Sequence, residues 1–140
     1  MKKYAILILC LFGVTAHTKS MQPGTWKSVT SFKLNGIQLP ANESQGCVGA
    51  DEAADVKSTI AKGLKKDGCE LKNWNLKGTQ LTTSVFCKNK DVEAEGSLKG
   101  TVTEKSYNLE GDAKGIYKSA IPSVATLKLT GNWISKTCMK

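Results

Sequence analysis

The chain contains no arginine, and all 20 of its basic residues are lysines. Specific readout of bases and phosphates leans on the planar, bidentate guanidinium, and aromatics interleaved with basic residues are missing too, so nucleic acid is not an expected partner. Histidine is almost absent. With His17 alone and no Gly-x-Ser-x-Gly elbow, a conventional Ser-His-Asp triad cannot be assembled. The same scarcity, with long gaps between the cysteines, argues against zinc. No cofactor is expected. Long apolar runs are missing as well: the longest, residues 4–14, is far shorter than the roughly 20 residues that cross a bilayer as a helix.

That short run has another meaning. Lys2 and Lys3 precede it and Val14-Thr15-Ala16 follow it, which is the charge, length and small-residue exit of a secretory signal peptide. The expected leader is 1–16, cut after Ala16 or as late as Ser20, leaving 17–140 as a single exported domain in the periplasm or outside the cell. Cys10 leaves with the leader, because Leu9 before it is too bulky for lipoprotein processing. The formal charge of +8 includes Lys2 and Lys3, so the exported domain carries +6. Its lysines fall at strand-alternate positions such as Lys27, Lys33, Lys72, Lys99 and Lys128, a pattern of solvated sheet faces and protected edges that also permits a weak attraction to anionic envelope surfaces.

Hydrophobic periodicity predicts a mainly β chain. Residues 25–34 alternate, placing Trp26, Ser28, Thr30, Phe32 and Leu34 on one face. Asn35-Gly36 is a strong hairpin signal, setting Ile37 opposite Leu34 and Leu39 opposite Phe32, while Pro40 keeps the second strand short or at an edge. Over 50–66 the period becomes helical, with Ala53, Val56, Ile60 and Leu64 in one stripe, acids at the start, lysines at the end and Gly68 as a left-handed cap. A hairpin follows around Lys77-Gly78. A three-residue loop pairs Cys69 with Cys87 and Leu71 with Val85, a two-residue loop pairs Trp74 with Leu81, and the conflict predicts a bulge near Asn73 or Asn75. Strands over 92–102, 106–114 and 124–134 carry glycines that permit sharp coiling. The expected fold is a strongly curved antiparallel sheet or small barrel of seven to eight strands, with one α-helix packed on it and two disulfides.

An exported chain with four remaining cysteines is expected to pair them. Hairpin symmetry favours Cys69 with Cys87, leaving Cys47 to join Cys138; the alternative is Cys47 with Cys69 and Cys87 with Cys138. Pro23-Gly24-Thr25-Trp26, Cys47 ahead of Asp51-Glu52-Ala53, then Cys69, Cys87 and Cys138 together resemble the exported bacterial domain-of-unknown-function family 3617 over essentially the whole mature chain. The chain departs from that pattern at Val48-Gly49-Ala50, where the family carries Leu-Thr-Pro, and at Lys136-Thr137, where it carries Gly-Asp. The resemblance implies the fold and brings no activity with it.

Asp91, Glu93 and Glu95 alternate on one outward strand face, so they read as solvated charges and not as an acid–base pair. The expected role is non-enzymatic: a binding or accessory protein of the cell envelope, holding an apolar small molecule against Trp26, Phe32, Trp74 or Trp133. The alternative is a protein-interaction module, such as an enzyme inhibitor or chaperone-like partner of an envelope protein.

Overall fold

In the computed structural model, residues 20–65, 68–118 and 121–138 are described. The expected leader over 1–16, its cleavage point and Cys10 lie outside them. Eight strands form one antiparallel sheet: β1 (Gly24–Leu34), β2 (Ile37–Gln38), β3 (Asn42–Val48), β4 (Cys69–Lys77), β5 (Gln80–Lys88), β6 (Val92–Val102), β7 (Ser106–Tyr117) and β8 (Ile121–Ser135). Their spatial order is β2-β1-β8-β7-β6-β5-β4, and β3 pairs with β1 on the same edge as β2.

The sheet curves strongly without closing, since β4 at one end and β3 at the other pair with no common strand. It is a half-barrel. Side-chain alternation puts Leu81, Leu98, Val102 and Leu109 on the concave face, all almost fully buried. Opposite them, the convex face is a lattice of charge: Glu110 stands between Lys99 and Lys128, Glu95 faces Lys114, and Lys88 pairs with Glu93 at 3.5 Å. Apolar burial on one side only is what a two-period pattern demands.

The predicted single helix is two. α1 (Ala50–Ala54) ends and α2 (Val56–Lys65) begins around Asp55, whose backbone is extended. Asp55 accepts hydrogen bonds from Ser58 N and Ser58 Oγ, at 3.3 and 2.6 Å, so its side chain caps α2 as an N-terminal residue should. An Asp three residues before a Ser carried that signal beneath the helical stripe. Val56, Ile60 and Leu64 are buried as one face, and α2 packs against β4. Gly68 takes the left-handed conformation, with φ 76°.

The local turn chemistry holds in detail. Asn35 and Gly36 both have positive φ, and Leu34 pairs with Ile37. In the β4–β5 hairpin the register shifts between Lys72 and Asn75, and Asn73 has φ 52°. One expected pairing is different. Leu81 opposes Leu76, not Trp74, because the hairpin turns on Gly78-Thr79 with Lys77 opposite Gln80, and Trp74 falls within the bulge. Thr83 Oγ1 donates to Lys72 O at 2.8 Å there, satisfying a carbonyl beside the break in the ladder.

The disulfides join Cys69 to Cys87 across the β4–β5 pair and Cys47 to Cys138, which lies past the end of β8. The second anchors β3 to the C-terminal segment, where Thr25 Oγ1 also donates to Thr137 O at 2.6 Å.

Candidate functional site

Between α2 and the strands β1 and β3 the half-barrel is left open as a groove of about 540 Å³. Trp26, Leu129, Ile60 and Leu64 form the apolar part of its floor, which Ser28 and Thr30 of β1 interrupt. Its flank on β3 is polar and uncharged, with Asn42, Ser44 and Gln45 at the rim, while Glu52 and Lys62 form an ion pair at 2.5 Å on the helical side. That contact holds the Glu52 carboxyl below its ordinary range, chiefly through the hydrogen bond from Lys62.

The groove lies where α2 faces β1 and β3. On the other side α2 closes against β4; here β3 pairs with β1 alone, so its outer edge borders the opening. Tyr107 crosses the floor. Its ring fills the space over Gly131, where an added Cβ would lie 2.1 Å from the ring, and it stacks with Trp26 at a centroid distance of 6.1 Å. The Tyr107 hydroxyl and Ser28 Oγ share a hydrogen bond of 2.9 Å.

Burial raises the Tyr107 phenol above its ordinary value of 10.0, with the Ser28 hydrogen bond opposing the shift. The folded chain therefore holds this proton more tightly than the unfolded chain does. The resulting stabilisation is present in full below pH 10 and is lost as pH rises through the folded value. Tyr107→Phe is expected to flatten that part of the alkaline limb of stability against pH while costing about 1 kcal/mol at neutral pH for the lost hydrogen bond. Urea unfolding of both proteins between neutral pH and pH 11 measures this; parallel alkaline limbs would refute it.

Of the four aromatics expected to line a cavity, the structure places only Trp26 at the groove. Its Nε1 donates to Gln22 O at 2.8 Å, and almost none of the ring is exposed. Phe32 lies at the far end of β1 and is partly exposed. Trp74 packs against the core from the β4 bulge. Trp133 donates from Nε1 to Pro23 O at 3.1 Å and carries the Lys105 ammonium 5.0 Å from its ring centre. They do not converge. The carboxylates Asp91, Glu93 and Glu95 are exposed, Glu93 in its ion pair with Lys88. Among the described residues no three His, Cys, Asp or Glu side chains gather as a metal site would require.

Sequence reasoning missed Ser28 and Tyr107 as a pair and the whole of β3. Alternation did place Ser28 and Trp26 on one face. The partner across three strands was not readable, because Tyr107 meets Ser28 only through the pairing of both β1 and β7 with β8.

A match to a protein family of unknown function, DUF3617, spans residues 21–138, ending at the last cysteine. The chain belongs to DUF3617. No curated protein and no solved structure matches it. In this DUF3617 chain, the two disulfides hint at an oxidising compartment outside the cytoplasm. Among the described residues no helix is long and apolar enough to cross a membrane.

Proposed function

We propose that this DUF3617 chain is an exported, non-enzymatic binding protein of the cell envelope, periplasmic or secreted, that holds a small amphipathic ligand in the groove between α2 and β3. The observation that carries the reading is the groove's mixed lining, in which the apolar side chains Trp26, Leu129, Ile60 and Leu64 lie beside hydroxyls and amides from β1 and β3. Ligand sites are commonly concave and largely apolar, with a few polar groups that set orientation. An apolar portion would lie along the floor; a neutral polar portion would reach Ser28, Ser44 and Gln45.

Native mass spectrometry of the protein purified from its own envelope under non-reducing conditions tests this. The expected result is a discrete added mass that is lost in Ser44→Trp, a variant that fills the rim from an exposed strand position and leaves the melting temperature unchanged. A bare mass from native material, or the same adduct in Ser44→Trp, would refute the assignment.

One observation favours a second reading, a protein-interaction module. The outer edge of β3 borders the groove, and within Asn42–Val48 there is neither lysine nor proline to blunt it. An extended segment of a partner could add there as a strand. The same spectra separate the readings, since a co-purifying polypeptide has a mass and fragmentation unlike those of a small amphiphile.

A further inference from the structure

We propose that the groove selects an uncharged single-chain amphiphile, an ester of one fatty acid with a small polyol, and that the Glu52–Lys62 ion pair is the filter that turns charged amphiphiles away. This rests on the reading of the groove as a ligand site and adds the head group and the residues that choose it.

Cross-strand register gathers the polar part of the lining. Ser28 stands opposite Ser44 on β3 and opposite Gly131 on β8, which in turn stands opposite Tyr107. Two residues along β1, Thr30 stands opposite Asn42. Directly opposed residues share a face, with side chains about 5 Å apart across the strands, and the next residue on that face is about 7 Å along the strand. Ser28, Thr30, Asn42 and Ser44 therefore make one patch on the scale of a glycerol head, and the Tyr107 hydroxyl reaches it at 2.9 Å from Ser28 Oγ. Hydrogen-bonding capacity is left over. Among the described residues none bonds to the side chain of Thr30, Asn42 or Ser44, and the Ser28 and Tyr107 hydroxyls share one bond between two O–H donors. Groups that both donate and accept match neighbouring hydroxyls and an ester carbonyl.

Charge is balanced wherever it faces the groove. Among the described residues, the charged side chains that line it are Glu52 and Lys62, and they pair with each other. On the opposite face of the same two strands Lys27 pairs with Glu43 at 3.0 Å. A carboxylate or phosphate head would meet Glu52 with no unpaired cation to answer it, and an ammonium head would meet Lys62; a neutral head meets neither repulsion. The hydrogen bond from Lys62 holds the Glu52 carboxyl below its ordinary range, so the filter stays closed in mildly acidic surroundings.

The apolar portion has room for one chain. Ile60 and Leu64 face it from α2, and Trp26 and Leu129 from the sheet. Gly46 stands opposite Trp26, and a Cβ there would have nothing within 4 Å, so the rim beside Trp26 is open. The volume of about 540 Å³ lies within the range of roughly 300–1,000 Å³ that suits one small ligand.

Equilibrium dialysis of the disulfide-bonded chain against monolauroylglycerol, laurate and dodecyltrimethylammonium, each below its micelle-forming concentration, tests this. The ester is expected to bind roughly tenfold more tightly than either ion. Glu52→Gln, which leaves the Lys62 ammonium unpaired, should raise laurate affinity roughly tenfold with the ester unchanged, a gain that loosening of the fold would not produce. Should that variant fail to fold, Asn42→Ala with Ser44→Ala, both at exposed positions of the edge strand, carries the test by weakening the ester roughly tenfold. Either ion bound as tightly as the ester, or a Glu52→Gln chain that gains no laurate, would overturn the head-group assignment; if Ser44→Trp still abolishes that binding, the groove itself stands. Uptake that Ser44→Trp leaves intact would overturn both. No uptake of any of the three would overturn this proposal, while a native adduct lost in Ser44→Trp would still uphold the groove.

Discussion

Replacing Cys47 and Cys138 together by serine is expected to lower the unfolding free energy by about 4–5 kcal/mol. The bridge spans 91 residues of sequence. Cutting it returns to the unfolded chain the freedom of a loop of nearly the whole domain, and that freedom grows with the logarithm of loop length. Cys69 and Cys87 span only 18 residues, so serines there should cost less, about 3 kcal/mol. Urea denaturation of the two double variants under identical conditions gives the order, and an inverted order would contradict the loop-length argument.

The longer bridge also has a local consequence. β3 is attached along one edge only, to β1, and Cys47 near its end is its covalent link to the C-terminal segment. Its loss should loosen β3 before the rest of the sheet, so hydrogen exchange over Asn42–Val48 should accelerate more than over β6 or β7.

The second large effect is expected from a single methyl group. Gly111→Ala should cost about 3 kcal/mol or more, whereas Gly46→Ala should stay within about 0.5 kcal/mol of the parent. A Cβ built at Gly111 would lie 1.7 Å from the Ser97 carbonyl oxygen, which belongs to the paired strand and cannot retreat without breaking the β6–β7 ladder. Nothing lies within 4 Å of a Cβ at Gly46. The contrast comes from curvature. Where β6 and β7 bend, the concave positions are Ala94, Gly96, Gly111, Ala113 and Gly115, and backbone crowds the space that larger side chains would need. Thermal and urea unfolding of both variants measures the difference. A Gly111→Ala protein as stable as the parent would show that the sheet is less tightly bent than described.

How much of this was legible depended on how far apart the interacting residues lie. The Asn35-Gly36 turn needs two adjacent residues that accept positive φ, and it is formed as read. The β4–β5 bulge was visible as a conflict between two registers, and the structure resolves it at Asn73 with Leu76, not Trp74, opposite Leu81. The helical stripe Val56, Ile60, Leu64 was legible from period alone, but the break at Asp55 was not, because Ala53 and Val56 continue the apolar stripe across it.

The site was less legible than the fold. β3 has the sequence NESQGCV, polar and without clear alternation, because its side chains are mostly exposed on both faces. Burial writes the two-residue period into a strand, and where burial is absent the period is absent too. Asn42, Ser44 and Gln45 therefore gave no sign that they form a groove wall.

Taken alone, the chain's residues determined the class of most elements, β3 excepted, the curvature through glycines in the strands, and the solvated character of the lysine and carboxylate rows, because each is set by neighbours one to four residues apart. Only tertiary structure decided that the half-barrel stays open between β3 and α2 and that Tyr107 meets Ser28 over Gly131. Those features depend on registers between strands separated by up to about a hundred residues, and register is chosen by the packing of the whole concave face at once.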